Sequence, residues 1–138
     1  MKKKLVMWGL LSLLVFVIGG CAEFVKSTPE EVVRQRVNER WSALIEGRLE
    51  TAYSYETPEY RELYSFVDYS KPIRGVGSWK KIDIENIECE KDKCVASIII
   101  YAKIHLGMGF EDVESDARAK ESWIHHSTSG QWYHISDH

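Results

Sequence analysis

Cys89 and Cys94 are the residues whose spacing most narrowly limits their chemistry. They flank Glu90-Lys91-Asp92-Lys93 between two strand-like runs. A four-residue hairpin loop places its flanking residues face to face, at a Cα separation that overlaps the window a disulfide accepts. The expected chemistry is a disulfide that pins hairpin register. So short a ring limits its chain-entropy contribution to about 2 kcal/mol. A redox or metal pair is the alternative, but C-x-x-C spacing and a second cysteine pair to complete a zinc site are both missing. The five histidines, His105, His125, His126, His134 and His138, all fall in the last third of the chain. Neighbouring strand residues face opposite ways, so His125 and His126 cannot share a metal, and His134 lies with Asp137 and His138 where a terminus is expected to fray. No H-E-x-x-H, G-x-S-x-G or phosphate-cradling glycine loop is present, so neither metal nor cofactor is expected.

The elements that must position these groups run helices first, strands second. Thr28-Pro29-Glu30-Glu31 combines a cap, a proline suited to the first helical position and a glutamate that completes a capping box. The helix that follows places Val33, Val37, Trp41, Leu44 and Ile45 on one face, and Gly47 can end it. A short second helix around Arg48–Tyr55 and a third begun by Thr57-Pro58-Glu59 carry a dense aromatic set, Tyr53, Tyr55, Tyr60, Tyr64 and Phe66. Tyrosines here serve as packing residues with their hydroxyls at the rim, or as the wall of a ligand pocket. Val67–Ser78, with Pro72, Gly75 and Gly77, is expected to be an irregular connection. From Trp79 the period changes to two, predicting strands through Ile82–Cys89, Val95–Leu106, Arg118–His126 and Gln131–Ile135, with a loop over Gly107–Glu114.

Ahead of the helices, Lys2-Lys3-Lys4 precedes a fourteen-residue apolar run from Leu5 to Ile18 and then Gly19-Gly20-Cys21. A positive region, an apolar stretch and small residues before a cut are the parts of a secretory signal, and the run is shorter than the roughly 20 residues of a membrane span. The cysteine directly after the small pair resembles the lipobox of bacterial lipoproteins. That resemblance implies removal of residues 1–20, a diacylglyceryl group on the Cys21 thiol and an acylated new N-terminus. Residues 21–28 then form a lipidated cysteine with a short tether, and 29–136 a single α+β domain. Ala22 after the cysteine implies the outer membrane facing the periplasm in a Gram-negative cell, or the outer face of the cell membrane in a Gram-positive one. Without the three signal lysines, 15 basic residues stand against 21 acidic ones, a formal charge of −6. Such a balance argues against nucleic acid or anionic lipid head groups as partners.

Helices followed by a meandering antiparallel sheet define an α+β arrangement in which helices cover one sheet face. The run Trp41-Ser42-Ala43-Leu44-Ile45-Glu46-Gly47, then Ala52-Tyr53 and Thr57-Pro58-Glu59-Tyr60-Arg61, and the last hairpin with Trp123 before its turn and Gly130-Gln131-Trp132-Tyr133 after it, resemble the nuclear transport factor 2-like superfamily. The resemblance covers roughly Pro29 to Ser136. It implies a cone-shaped, curved sheet of four or slightly more strands around the long helix, with a cavity whose wall candidates are Trp41, Tyr53, Tyr60, Tyr64 and Trp123. It also leaves room for a homodimer through the exposed sheet face. Enzymes of that superfamily use a buried acid or base with a tyrosine or second acid, for which Asp83, Glu85, His105 and Glu121 are the candidates. The expected function is a non-enzymatic, membrane-anchored envelope lipoprotein that binds a protein partner or a small apolar ligand. The alternative is an isomerase, cyclase or hydratase working in the cone.

Overall fold

The computed structural model describes residues 26–136; Cys21 and the signal that precedes it lie outside them. Four helices, α1 (Pro29–Ile45), α2 (Leu49–Tyr53), α3 (Pro58–Leu63) and α4 (Phe66–Ser70), are followed by four strands, β1 (Trp79–Glu90), β2 (Lys93–Ile104), β3 (Val113–His126) and β4 (Gln131–Ile135). The strands form one open antiparallel sheet in the order β1-β2-β3-β4. The chain is therefore α+β, with α1 lying across β1 and β2 and reaching β4. None of the described helices is long and apolar enough to cross a membrane.

Local chemistry fixes the ends of α1. The Thr28 hydroxyl accepts the amide N–H of Glu31, whose carboxylate accepts the Thr28 N–H at 2.9 Å, closing the capping box. At the other end Gly47 adopts φ +74°, so that its N–H reaches Leu44 O and the Arg48 N–H reaches Ala43 O. That double bond pattern satisfies orphan carbonyls and needs a left-handed residue at Gly47. Val33, Val37, Trp41 and Leu44 are buried on the inner face against Ile87, Cys94, Ala96, Ile98 and Trp123.

Three local expectations need correction. Glu90 pairs with Lys93, so the loop between the cysteines is a two-residue turn, Lys91-Asp92, with Lys91 at φ +53°. Cys89 and Cys94 are paired residues of that ladder and are disulfide-bonded. Phe66–Ser70, whose last residues were expected in an irregular connection, is helical, because the Ser65 hydroxyl accepts the Asp68 N–H and caps it. β3 begins at Val113, five residues before Arg118, and pairs without a register shift as far as Ile104. Val113–Ala117 has little strand propensity of its own, and the β-branched run of β2 supplies the template.

One irregularity in β1 keeps its apolar residues inside. Ile82 and Ile84 occupy even positions whereas Ile87 and Cys89 occupy odd ones, and a strict period of two would send one pair to solvent. The register shift between Ile84 and Asn86 inserts the extra residue, after which Ile87 faces Ala96 on the same side as Ile84.

Candidate functional site

The inner face of the structure carries a buried polar network drawn from four separate segments. Arg40 comes from α1, three residues after Val37 and four before Leu44, and is 7% exposed. Its Nη1 donates to Glu121 Oε1 of β3 at 2.9 Å, and its Nη2 donates to Glu56 Oε1 at 3.4 Å. Trp41 Nε1 donates to the same Glu121 oxygen at 2.8 Å. Glu56, in the α2–α3 connection, has no exposed surface. It also accepts from Ser136 Oγ at 3.0 Å and from His134 Nδ1 of β4 at 2.9 Å. A carboxylate can only accept, so Nδ1 carries the proton, leaving His134 Nε2 directed toward Glu121 Oε1, 4.0 Å away.

Backbone geometry explains why these groups meet. His134 N–H donates to Tyr55 O at 2.8 Å and a parallel bridge joins Glu56 to His134, so the α2–α3 connection is stitched onto the free edge of β4. Across β3, Glu121 lies opposite Ala96, a fully buried methyl that leaves room for the carboxylate and the Trp41 indole.

Beside this network lies a cavity of about 400 Å³. Its lining mixes apolar side chains, Trp41, Leu44, Ile73, Trp79, Ala119 and Ile135 among them, with polar ones that include Arg40, Tyr69, Lys120, Glu121, His134 and Ser136. Trp41 and Trp79 meet edge to face, with ring centroids 5.3 Å apart. Gly75 makes that placement feasible, since a Cβ there would stand 1.8 Å from the Trp79 ring. Two buried atoms of lining residues, Glu121 Oε2 and the Tyr69 hydroxyl, have no hydrogen-bond partner of good geometry. Burial pushes the Tyr69 phenol up to about 12, against the opposing pull of Arg40. Burial, followed by the charge of Glu56, raises that of Tyr60. A larger depression of about 480 Å³ lies over Lys81, Tyr101 and Asp116, but none of its lining residues is buried.

Of the residues singled out as wall candidates, Trp41 and Tyr60 line this cavity. Tyr53 packs between Phe66 and Tyr69, with its hydroxyl donated to the carbonyls of Arg61 and Tyr64. Tyr64 is exposed and rests on Tyr60, with centroids 4.8 Å apart, and Trp123 is wholly buried in the core. Of the acid and base candidates, Glu121 is in the network, whereas Asp83 and Glu85 are exposed on β1 and His105 is an exposed partner of Asp112. His134 lies within β4, 8% exposed, not in a frayed end, because the ladder with β3 and the bond to Tyr55 hold it. Among the described residues no cluster of three or more metal-ligating side chains is arranged to hold a metal.

Arg40, Glu56 and Tyr69 were not singled out by sequence. Arg40 had a legible signal, a charged residue at a core-stripe position of an amphipathic helix. Glu56 had none, since its burial depends on a contact with β4, far along the chain. No protein-family model matches this chain, and no curated protein sequence matches it.

Proposed function

We propose that this protein is a non-enzymatic, lipid-anchored envelope protein whose α+β domain holds a small, mainly apolar ligand in the cavity between α1 and the sheet. The observation that carries the ligand reading is the cavity itself, about 400 Å³, lined by two indoles and several aliphatic side chains together with members of the buried polar network. Ligand pockets typically combine an apolar lining with a few convergent polar groups that fix orientation. The anchor reading is supported by Gly19-Gly20-Cys21 behind a basic and apolar N-terminus. The nuclear transport factor 2-like reading of the fold is supported by the order of helices and meander, and by the position of the cavity beside the long helix.

The second reading, an isomerase, cyclase or hydratase, is favoured by a buried acid, Glu121, that lines the same cavity as Tyr69. Against it, Glu121 Oε1 is already committed to Arg40 and Trp41, and those bonds tie α1 to β3. A structural tie accounts for that oxygen without a reaction.

The test is saturable binding of the neutral fluorophore N-phenyl-1-naphthylamine to residues 22–138. One site per chain is expected, with energy transfer from Trp41 and Trp79. Ala119→Trp, which fills the cavity from β3, is expected to lower affinity at least tenfold. Absence of saturable binding, or binding unchanged by Ala119→Trp, contradicts the ligand reading.

A further inference from the structure

β4 is short, and among the described residues it covers only five of the fourteen residues of β3. β4 pairs with β3 from His126 back to Ser122, opposite Ile135, and among the described residues no strand pairs with Val113–Glu121 on the side away from β2. Among the described residues, nine positions of a regular strand therefore present an open edge. Open edges are templates for another strand.

The direction of the unpaired backbone groups follows from the ladder. His134 donates its N–H to Tyr55, away from β3, so its pair with Trp123 is a non-hydrogen-bonded one. His125, next along, donates to Asp92 on the β2 side. Even-numbered residues of β3 therefore turn their N–H and C=O groups toward the β4 side. Because the β2–β3 register has no shift, the same holds for Glu114, Asp116, Arg118 and Lys120 on the open edge.

The side chains on that edge are ordered in charge, two acids followed by two bases at every second position, with Ser115, Ala117 and Ala119 between them. We propose that this edge pairs with the same edge of a second copy, antiparallel, about a two-fold axis at Ala117. That axis sets Asp116 opposite Arg118 and Glu114 opposite Lys120 of the partner copy, each of these pairs exchanging two backbone hydrogen bonds. Ala117 faces its own counterpart in a non-hydrogen-bonded pair, where a methyl is easily accommodated.

The limits of the edge select the same axis independently. Pairing about Ala117 sets Val113 opposite Glu121, so the contact spans the open segment and stops where β4 begins. Beyond Val113 the chain turns back toward β2, away from the partner's β4. A shift by two residues in either direction would leave charges of like sign facing each other or overrun one end. Existing contacts offer little resistance: Glu114, Asp116 and Lys120 take part in no salt bridge among the described residues, and Arg118 has one exposed contact with Glu85 at 3.5 Å. Exposed pairs of that kind contribute little. The product is a continuous sheet through both copies, with β3 against β3 at its centre.

Ala117→Cys tests the axis directly in intact membranes carrying the full chain. Paired Cα atoms at a non-hydrogen-bonded position stand about 4.5 Å apart, within reach of a disulfide. A mild oxidant is expected to give a cross-linked dimer that the parent chain does not give. In the Ala117→Cys background, Asp116→Arg or Arg118→Asp alone is expected to weaken association about tenfold or more, since the axis repeats each like-charge clash. Coexpressing the two variants, or combining both changes in one chain, restores opposite charges and is expected to restore the cross-link. Sedimentation of the detergent-extracted parent chain is expected to show a dimer, a readout independent of any substitution. A monomer at all concentrations overturns the proposal, as does failure of Ala117→Cys to cross-link or a cross-link indifferent to the charge reversals.

Discussion

Arg40 stands between Glu56 and Glu121, and all three have left water together. Such a cluster is weak evidence of added stability, because desolvation offsets most of the Coulombic gain. Losing one member is another matter. Arg40→Met leaves two buried carboxylates without their guanidinium and is expected to cost about 3–5 kcal/mol in urea unfolding. A cost below about 1 kcal/mol would show that the network is wetter than its burial indicates. Tyr69 makes a spectroscopic prediction: its phenol, raised from 10.0 to about 12 by burial, should ionise last, and Tyr69→Phe should remove the highest-pH phase of the ultraviolet titration. With the folded pKa raised, the stability carried by the neutral phenol is full below pH 10.0 and is lost as pH climbs toward about 12. Retention of that phase in Tyr69→Phe would assign it elsewhere. At this scale the sequence was readable where side chains follow a period, as for Trp41 and Leu44, and unreadable for Glu56, whose surroundings are assembled by β4.

Elements were legible wherever a local chemical signal marks their ends. Thr28, Pro29, Glu31 and Gly47 bound α1 almost to the residue, and the Cys89–Cys94 pair marks the first hairpin. The start of β3 was not legible, because Val113–Ala117 becomes a strand only through its pairing with β2. Replacing both Cys89 and Cys94 by alanine is expected to leave the protein folded and to cost about 2 kcal/mol or less, since the loop closed is short. Loss of the folded state by circular dichroism would show that the bond secures more than hairpin register. The α4–β1 connection is less tolerant. Gly75→Ala drives a methyl into the Trp79 indole, 1.8 Å from its ideal position, and Trp79 rests edge-on against Trp41. Overpacking of this kind is expected to cost about 1–3 kcal/mol and to shift tryptophan emission as the cavity wall moves. Unchanged emission would mean that the connection yields instead of the indole.

In the whole molecule, the first described residues and the cavity sit at opposite ends of α1. Lys26 and Ser27 lie beside Lys91 and Asp92 at the β1–β2 turn, whereas Trp41 and Leu44 reach the cavity. From Pro29 to Trp41 the helix rises about 18 Å. Six residues, Ala22–Ser27, extend at most about 20 Å, so a lipid on Cys21 would keep the start of α1 within that distance of the leaflet. Cys21→Ser is expected to abolish labelling by a fatty-acid analogue. With a formal charge of −6 on the chain after residue 20, residues 22–138 are expected to stay in the supernatant with anionic liposomes at low salt. Salt-sensitive pelleting would reveal a membrane-binding face of the domain itself. The central claim is that the cavity is occupied in the cell. Native mass spectrometry of protein released gently from its own membrane tests it most directly. An adduct of one small apolar molecule per chain is expected on the parent protein and none on Ala119→Trp. A bare parent chain, or an adduct of equal abundance on both, would contradict it.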